Sequence, residues 1–571
     1  MRVRSDAFVH GAVQVGHATF WRDPDGVPVE AQQDRVDEAT FDHLSAAVTI
    51  MRAAGLGEAL VARDAELAGA IVQKGMSGTL GHAKGPTLEE CVVLCQLYQA
   101  LSRTIRNQNQ TYEASLAVGE FAMLLLLQVW RELGQKQPVQ DEMAVWTAAD
   151  EQNNKENPGD SATRQGPRSP RTLVLQNFAK EHDAHLAFVK GHLKEILWLV
   201  ALSSNQISRT EFLASWDTQE LTKQQVQALN LIVVLDPSAN NDLDIFFNSP
   251  LLRSSEILTK LESTLALDPL QNPVLSPGAQ GPESSPAPGA SQGAIVLSNI
   301  KRGTCIFPEI ELPQQSSKLS PLLKSLSEPR PGGTVVNILD NLTVFDCFDA
   351  SIYALQPAQN IRIVECHKCT IVLAPCAGIL TLQHCSEITV IGIAGDLSIC
   401  NTYDSFIHVH TLHGGPILSG ECQNIQFGPY HTFYPRLNIH LAALDITSTL
   451  YGAEQRYLWK SPRDISRRGL TKSFSLLNPG DLNIFVTPIP DPLVETPCTE
   501  LVIELPKEYA DAMEAKITSV KVLLQEVNRA GKERNGCDEQ KLEQGIQMKF
   551  KEWLISSGNA RQVMDLIKHQ A

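Results

Sequence analysis

The chain has 571 residues, 43% of them apolar and 20% charged, so it holds two or three globular domains and is neither a disordered nor a collagen-like chain. Lys and Arg total 48 against 64 Asp and Glu, a net charge of −16, which argues against a general nucleic-acid binder and gives no bulk attraction to an anionic membrane. Ten of the 12 cysteines follow residue 300, too sparse for a secreted disulfide scaffold, so a reducing, cytoplasmic setting is expected.

The opening MRVRSDAFVH lacks the apolar core of a signal peptide. The strongest apolar run, Phe121–Trp130, is too short to span ~30 Å of hydrocarbon, so a soluble chain without membrane insertion is expected. Residues 1–267 read as mainly α-helical. Ala114, Val118, Phe121, Leu125 and Val129 recur at helical spacing, as do Phe188, His192, Ile196 and Val200, the latter on one long helix. Ser208 is placed to cap the helix that follows it. Residues 151–171 are polar and proline-bearing and read as a disordered insertion. Residues 268–293 carry six prolines and read as a linker.

Beyond the linker the texture changes to short β-branched runs. Cys347, Cys366 and Cys385 recur every 19 residues, and Thr402 and Cys422 continue the column. Five residues ahead of each stand Leu342, Ile361, Leu380, Leu397 and Ile417. Five residues after stand Ile352, Ile371, Val390, Ile407 and Phe427. Two apolar columns flanking a column of small residues predict a parallel β-helix, whose coils bury their inward side chains only by stacking ~4.8 Å apart. Charged residues between the columns, Asp349, Lys368, Glu387 and Asp404, suit a solvated outer turn. The β-helix is assigned to 294–445, an irregular, strand-bearing extension to 446–505, and amphipathic helices to 506–571, giving an α + β chain.

The segment SGECQNIQFGPYHTFYP at Ser419–Pro435 resembles the closing signature of the cofactor C-like domain, shared by tubulin-binding cofactor C, the retinitis-pigmentosa GTPase-activating protein and cyclase-associated proteins. AFVHGAVQV at Ala7–Val15, SIYALQPAQNIRIVEC at Ser351–Cys366 and FKEWLISSG at Phe550–Gly558 resemble that family's centrosomal and basal-body branch. The resemblance is strong over 334–445 and patchy in the N-terminal half. It implies a right-handed β-helix and a non-enzymatic protein of the cytoskeleton. Its expected places are the microtubule-organising centre, basal body and spindle pole. There it would act in microtubule organisation, Golgi and nuclear positioning and cell morphogenesis, with centrosomal proteins and tubulin as the implied partners. The alternative is a tubulin-folding cofactor, or a GTPase-activating protein for tubulin or a small GTPase.

That alternative needs an arginine projecting from the β-helix to stabilise charge on the transferring phosphoryl group. Where the family reads Gln-Gln-Leu-Arg-Ile-His, this chain reads Gly395-Asp396-Leu397-Ser398-Ile399-Cys400, so Ser398 stands at the arginine position. Arg362, two coils earlier in the same column, reads as a surface arginine and not as a displaced finger. Cys366-x-x-Cys369 with His384 and Cys385 has donors for zinc, but the cysteines belong to the inward column and no metal or cofactor is assigned. His408 and His410 alternate with Ile407 and Val409, so they and His413 are expected to be solvated. Phe427, Gly428, Pro429, Tyr430, Tyr434 and Pro435 are expected to cap the open end of the β-helix. Finally, Arg456 to Lys472 is a basic run, with Trp459, Lys460, Arg463, Arg467, Arg468 and Lys472 as candidate contacts. It reads either as a dock for an acidic partner or as a solvated loop.

Overall fold

In the computed structural model, the described residues are chiefly 2–11, 87–106, 118–134, 170–203, 207–234, 251–267, 293–308, 336–450, 457–466, 473–487 and 497–533. They form a helical half and a parallel β-solenoid, an α + β architecture. In the helical half, α1 (Ser5–Gly11), α2 (Leu88–Arg106), α3 (Val118–Gly134), α4 (Pro170–Gly191) and α5 (Leu193–Leu202) share one core. Helix α3 is buried from Phe121 through Leu127, so its apolar run serves a protein core. Among the described residues no helix is long and apolar enough to cross a membrane.

The stripe from Phe188 to Val200 is split between two helices, not carried on one. His192, at φ −122° and ψ 21°, breaks the helical path between α4 and α5 directly after Gly191. Ser208 does cap the next helix. Its hydroxyl accepts from the Glu211 backbone N–H, and the Glu211 carboxylate accepts in return from the Ser208 N–H. The insertion 151–171 and the linker lie almost wholly outside the described residues, apart from the start of α4 at 170–171 and a short strand at 274–275.

The solenoid has two faces. The first is built from β1 (Ala294–Ser298), β3 (Leu339–Phe345), β5 (Ala358–Val364), β7 (Cys376–Gln383), the second half of β8 (Thr389–Cys400) and β10 (Ile417–Ser419). The second is built from β2 (Thr304–Phe307), β4 (Ser351–Ala354), β6 (Thr370–Leu373), the first half of β8, β9 (Tyr403–Thr411) and β11 (Gln423–Gly428). Every pairing between neighbours within a face is parallel. Strands β12 (Arg463–Asp464) and β13 (Phe474–Leu476) add part of another coil beyond residue 445.

The cysteine column lies at the corner between the faces. Cys347, Cys366, Cys385 and Thr402 are fully buried, and their Sγ and Oγ1 atoms donate to backbone carbonyls such as Gln383 O and Cys400 O. Each corner bends through two residues in the left-handed region, one before and two after the column residue. These are Asp346 and Asp349, Glu365 and Lys368, His384 and Glu387, Asn401 and Asp404. The bend faces the second residue of each pair into solvent, as the charged turns predict. There Lys368 pairs with Glu387 at 3.8 Å and Asn424 donates to Asp404 at 2.7 Å across adjacent coils.

One expected column slips. Leu380 aligns with Leu397, but Ile417 aligns with Ser398, and Leu418 takes the inward place beside Ile399. The corner at Gly420 (φ 66°) and Glu421 holds one residue more than the corner before it. Because side chains alternate along a strand, a one-residue slip turns Ile417 outward.

The open end of the solenoid is closed by Trp459, Leu477, Leu482 and Tyr509, the last from α7 (Lys507–Glu533), where α6 is used for Leu437–Ala443. Trp459 and Tyr509 meet edge to face at 5.9 Å, and the Tyr509 hydroxyl donates to Leu477 O at 2.6 Å. Of the amphipathic helices expected over 506–571, residues 543–549 are also helical, while residues 553–571 lie outside the described residues.

Candidate functional site

The outward column of the first face runs Thr343, Arg362, Thr381, Ser398, Ile417 and Arg463, each aligned with the next. Ser398 and Arg362 therefore do share a column, two coils apart. The helical half covers this column. Ser398 is 5% exposed, Thr381 2%, and the neighbouring Asp396 3%.

Polar contacts join the halves among the described residues. Arg362 donates from Nη1 to Glu181 Oε2 at 3.1 Å and from Nη2 to Glu181 Oε1 at 3.2 Å, while its Nε donates to Gln383 Oε1 at 3.1 Å. Arg463 Nη1 reaches Glu89 Oε1, in the first turn of α2, at 3.5 Å. Gln96 Nε2 donates to Gly415 O at 2.9 Å and to Asp396 Oδ1 at 3.4 Å. His10 Nδ1 and Thr381 Oγ1 lie 2.7 Å apart. A side chain at Gly414 would displace the Gln96 carboxamide from its place beside Gly415 O and Asp396. Ile379, Ile417 and Ile465 complete the contact by joining the core of the helical half.

Arg362 is thus not a free surface arginine. Alternation along the strand turns it outward, but α4 covers that face and satisfies its guanidinium bidentately. Burial alone would raise the Glu181 carboxyl; Arg362, with His185 and His182, outweighs it and holds the group down at about 2. Ser398 has neither the charge nor the reach to enter a phosphoryl-transfer site, and it lies beneath α2 and α1.

The outward column of the second face runs Ile306, Tyr353, Val372, Ile391, His408 and Gly428. The chain covers this face too. After Phe427, the segment turns back along the side of the solenoid, and Tyr430, Tyr434 and α6 pack over Tyr353, Val372 and Ile391. The expected end cap is corrected accordingly: only Phe427 enters the solenoid core, whereas Tyr430 and Tyr434 cover a lateral face. Gly428 is required there, because a Cβ would lie 2.7 Å from His408 Nδ1. Pro429 is buried, and Pro435 is half-buried with its carbonyl accepting from the Cys498 N–H at 3.0 Å. Tyr434 Oη and His440 Nδ1 are 2.9 Å apart.

The expected solvation fails at His408 and His410 for the same reason, and holds at His413. His408 lies against His431 with ring centroids 4.0 Å apart and the rings tilted by 51°, and both Nδ1 atoms are buried without a hydrogen-bond partner. Burial drives the His408 imidazole down to about 4, against an opposing pull from the Pro429 carbonyl, and drives His410 down to about 4 as well. His413 is exposed.

In the basic run, Trp459 is a core residue and offers no surface for docking. Lys460 pairs with Glu508, and Arg463 with Glu89. Arg456, Arg467, Arg468 and Lys472 lie outside the described residues. Cys366 and Cys369 both face the solenoid core, and burial pushes the Cys369 thiol up to about 11. Among the described residues no group of three or more His, Cys, Asp or Glu is arranged to hold a metal ion.

Residues 339–454 match the family described as Tubulin binding cofactor C. The chain carries a cofactor C domain. Its similarity to curated proteins extends past that domain. It is 28% identical over 403 residues to mouse TBCC domain-containing protein 1, covering 67% of this chain and 68% of the mouse protein. The bovine protein of that name is 31% identical over 229 residues, covering 40% of this chain and 39% of its own length, and the human one is 28% identical over 228 residues with the same coverage. The cofactor C domain therefore supplies the solenoid from β3 through β11, together with Tyr430, Tyr434 and α6 over its second face. The helical half over its first face comes from outside that match.

The corner ladder of left-handed residues and the covers over both faces do not show in the residue spacing. Asn or Asp at 346, 349, 401, 404 and 424 is the legible signal for the former.

Proposed function

We propose that this protein is a non-enzymatic scaffold or adaptor of the cytoskeleton, acting at the centrosome or basal body. Its roles there are organelle positioning and microtubule organisation. The observation that carries the non-enzymatic reading is Ser398. It occupies the arginine position of the domain, and the same column is sealed by α1, α2 and α4. Arg362 and Arg463 are already paired with carboxylates of the same chain. The centrosomal placement rests on the resemblance of Ala7–Val15 and Phe550–Gly558 to the centrosomal branch of the family. The basic run around Arg467 and Arg468 is the proposed contact for an acidic partner such as a tubulin tail.

A second reading, tubulin-folding cofactor or GTPase activator, is favoured by the match of residues 339–454 to the cofactor C family. One pair of measurements separates the two. The tagged full chain should concentrate at the centrosome or basal body, and the purified chain should leave tubulin GTP hydrolysis unchanged. A diffuse distribution together with stimulated hydrolysis would reverse the assignment.

A further inference from the structure

The two halves of the chain meet through a contact of unusual make-up. Among the described residues, Ile379, Ile417 and Ile465 of the solenoid join the core of the helical half, while most of its other clustered apolar residues belong to its own two clusters. Beside these isoleucines, the contact among the described residues includes two arginines of one column, each facing a glutamate, and a glutamine and a histidine between them. Glu181 and Glu89 are about one-third and two-fifths exposed, so the ion pairs lie at the rim and feel solvent and salt. A domain contact that rests in part on rim ion pairs is one that competing charge can open, whereas a wholly apolar contact would fuse the halves.

Arg362 and Arg463 are separated by four steps of the column, roughly 19 Å at ~4.8 Å per step. Between them stand Thr381, Ser398 and Ile417. With the helical half lifted away, this strip offers two guanidinium groups flanking small and apolar side chains. That is a surface for an acidic segment with an apolar centre. Glu181 and Glu89 already present that chemistry to it.

We propose that the helical half is a built-in acidic ligand of the solenoid, so that docking of α2 and α4 in cis and binding of an acidic peptide in trans exclude one another. The column is then a cis-occupied docking surface, opened when its ion pairs are outcompeted. This rests on the reading of the protein as an adaptor, and it adds a second acidic-partner surface to the basic run, one under internal control. Because only the open fraction binds, the apparent affinity for a partner is reduced by that fraction.

The test uses the full chain and two readouts. Hydrogen exchange at residues 376–383 reports docking whether or not any partner exists. Binding of a fluorescent glutamate- and leucine-rich peptide reports the surface. The double variant E89R/E181R should lose protection at 376–383 and bind the peptide roughly tenfold more tightly. R362E/R463E should lose protection and bind no peptide, and R362E/E181R should recover protection because it restores the pair with reversed sign. Near-UV circular dichroism verifies that each variant is folded. For the unmodified chain, raising salt should lower protection at 376–383, which gives a second reading free of any substitution. Protection unchanged in E89R/E181R and in salt would overturn the latch. Lost protection without tighter peptide binding would overturn the docking surface, and neither result bears on where the protein resides in the cell.

Discussion

Arg362 of strand β5 and Glu181 of helix α4, 181 residues apart in the chain, form a two-point ion pair with both nitrogen–oxygen distances near 3 Å. The pair fixes the helical half over the column that contains Ser398. It also gives the arginine a structural role.

Removing that pair should weaken the contact between the halves. Arg362→Ala leaves Glu181 partly buried without its counter-charge and should cost about 1–3 kcal/mol in denaturant unfolding. The carboxyl is held at about 2 against an ordinary 4.5. Its contribution is therefore complete above pH 4.5 and is lost as pH falls toward 2, where the folded state must also take up the proton. Comparing stability at pH 6 and pH 3 in the wild type and in Arg362→Ala should show a smaller acid loss in the variant.

A separate acid sensitivity should come from the second face. His408 and His410 titrate near 4 in the folded chain against 6.5 when free, so the unfolded chain binds protons first. Stability is intact above pH 6.5 and falls between 6.5 and 4, by about 1.4 kcal/mol per pH unit for each histidine. His408→Phe keeps an aromatic ring beside His431 and removes one titrating group. Its melting temperature should depend less on pH across this window than that of the wild type.

The end of the solenoid gives a third expectation. Trp459→Ala opens a cavity in the closing plug and should destabilise by about 3–5 kcal/mol. Tyr509→Phe loses only the bond to Leu477 O and should cost about 1 kcal/mol. Urea unfolding followed by fluorescence would rank them; equal effects would mean that the ring of Trp459 is not the plug.

Restoring the family's arginine should not restore its chemistry. In Ser398→Arg the new side chain must enter a site that is 5% exposed beneath α1 and α2. The variant should lose stability by about 1–3 kcal/mol from overpacking and should still leave tubulin GTP hydrolysis unchanged. A stimulated rate would show that the column opens readily to tubulin.

The solenoid was legible from residue spacing because stacking demands it. A parallel coil repeats its inward residues at a fixed interval, so Cys347, Cys366 and Cys385 declare the corner and Ile352, Ile371 and Val390 declare the wall. The interval fails where one extra residue is absorbed at Gly420, and counting alone then assigned Ile417 to the wrong face. The basic run misled for a related reason: composition marks Trp459 as part of a charged loop, whereas its ring is taken up by the open end of the solenoid.

Strand alternation also sorted inward from outward residues correctly at Arg362 and His408. What it does not contain is the fate of the outward side. Whether an outward side chain meets water or another element depends on contacts between segments far apart in the chain, and these leave no periodic trace. The composition and repeat established a helical half and a parallel solenoid, and the family resemblance implied a serine at the arginine position. Only the tertiary structure decided that both outer faces of the solenoid are covered, one by Tyr430, Tyr434 and α6, the other by helices held through Glu181 and Glu89.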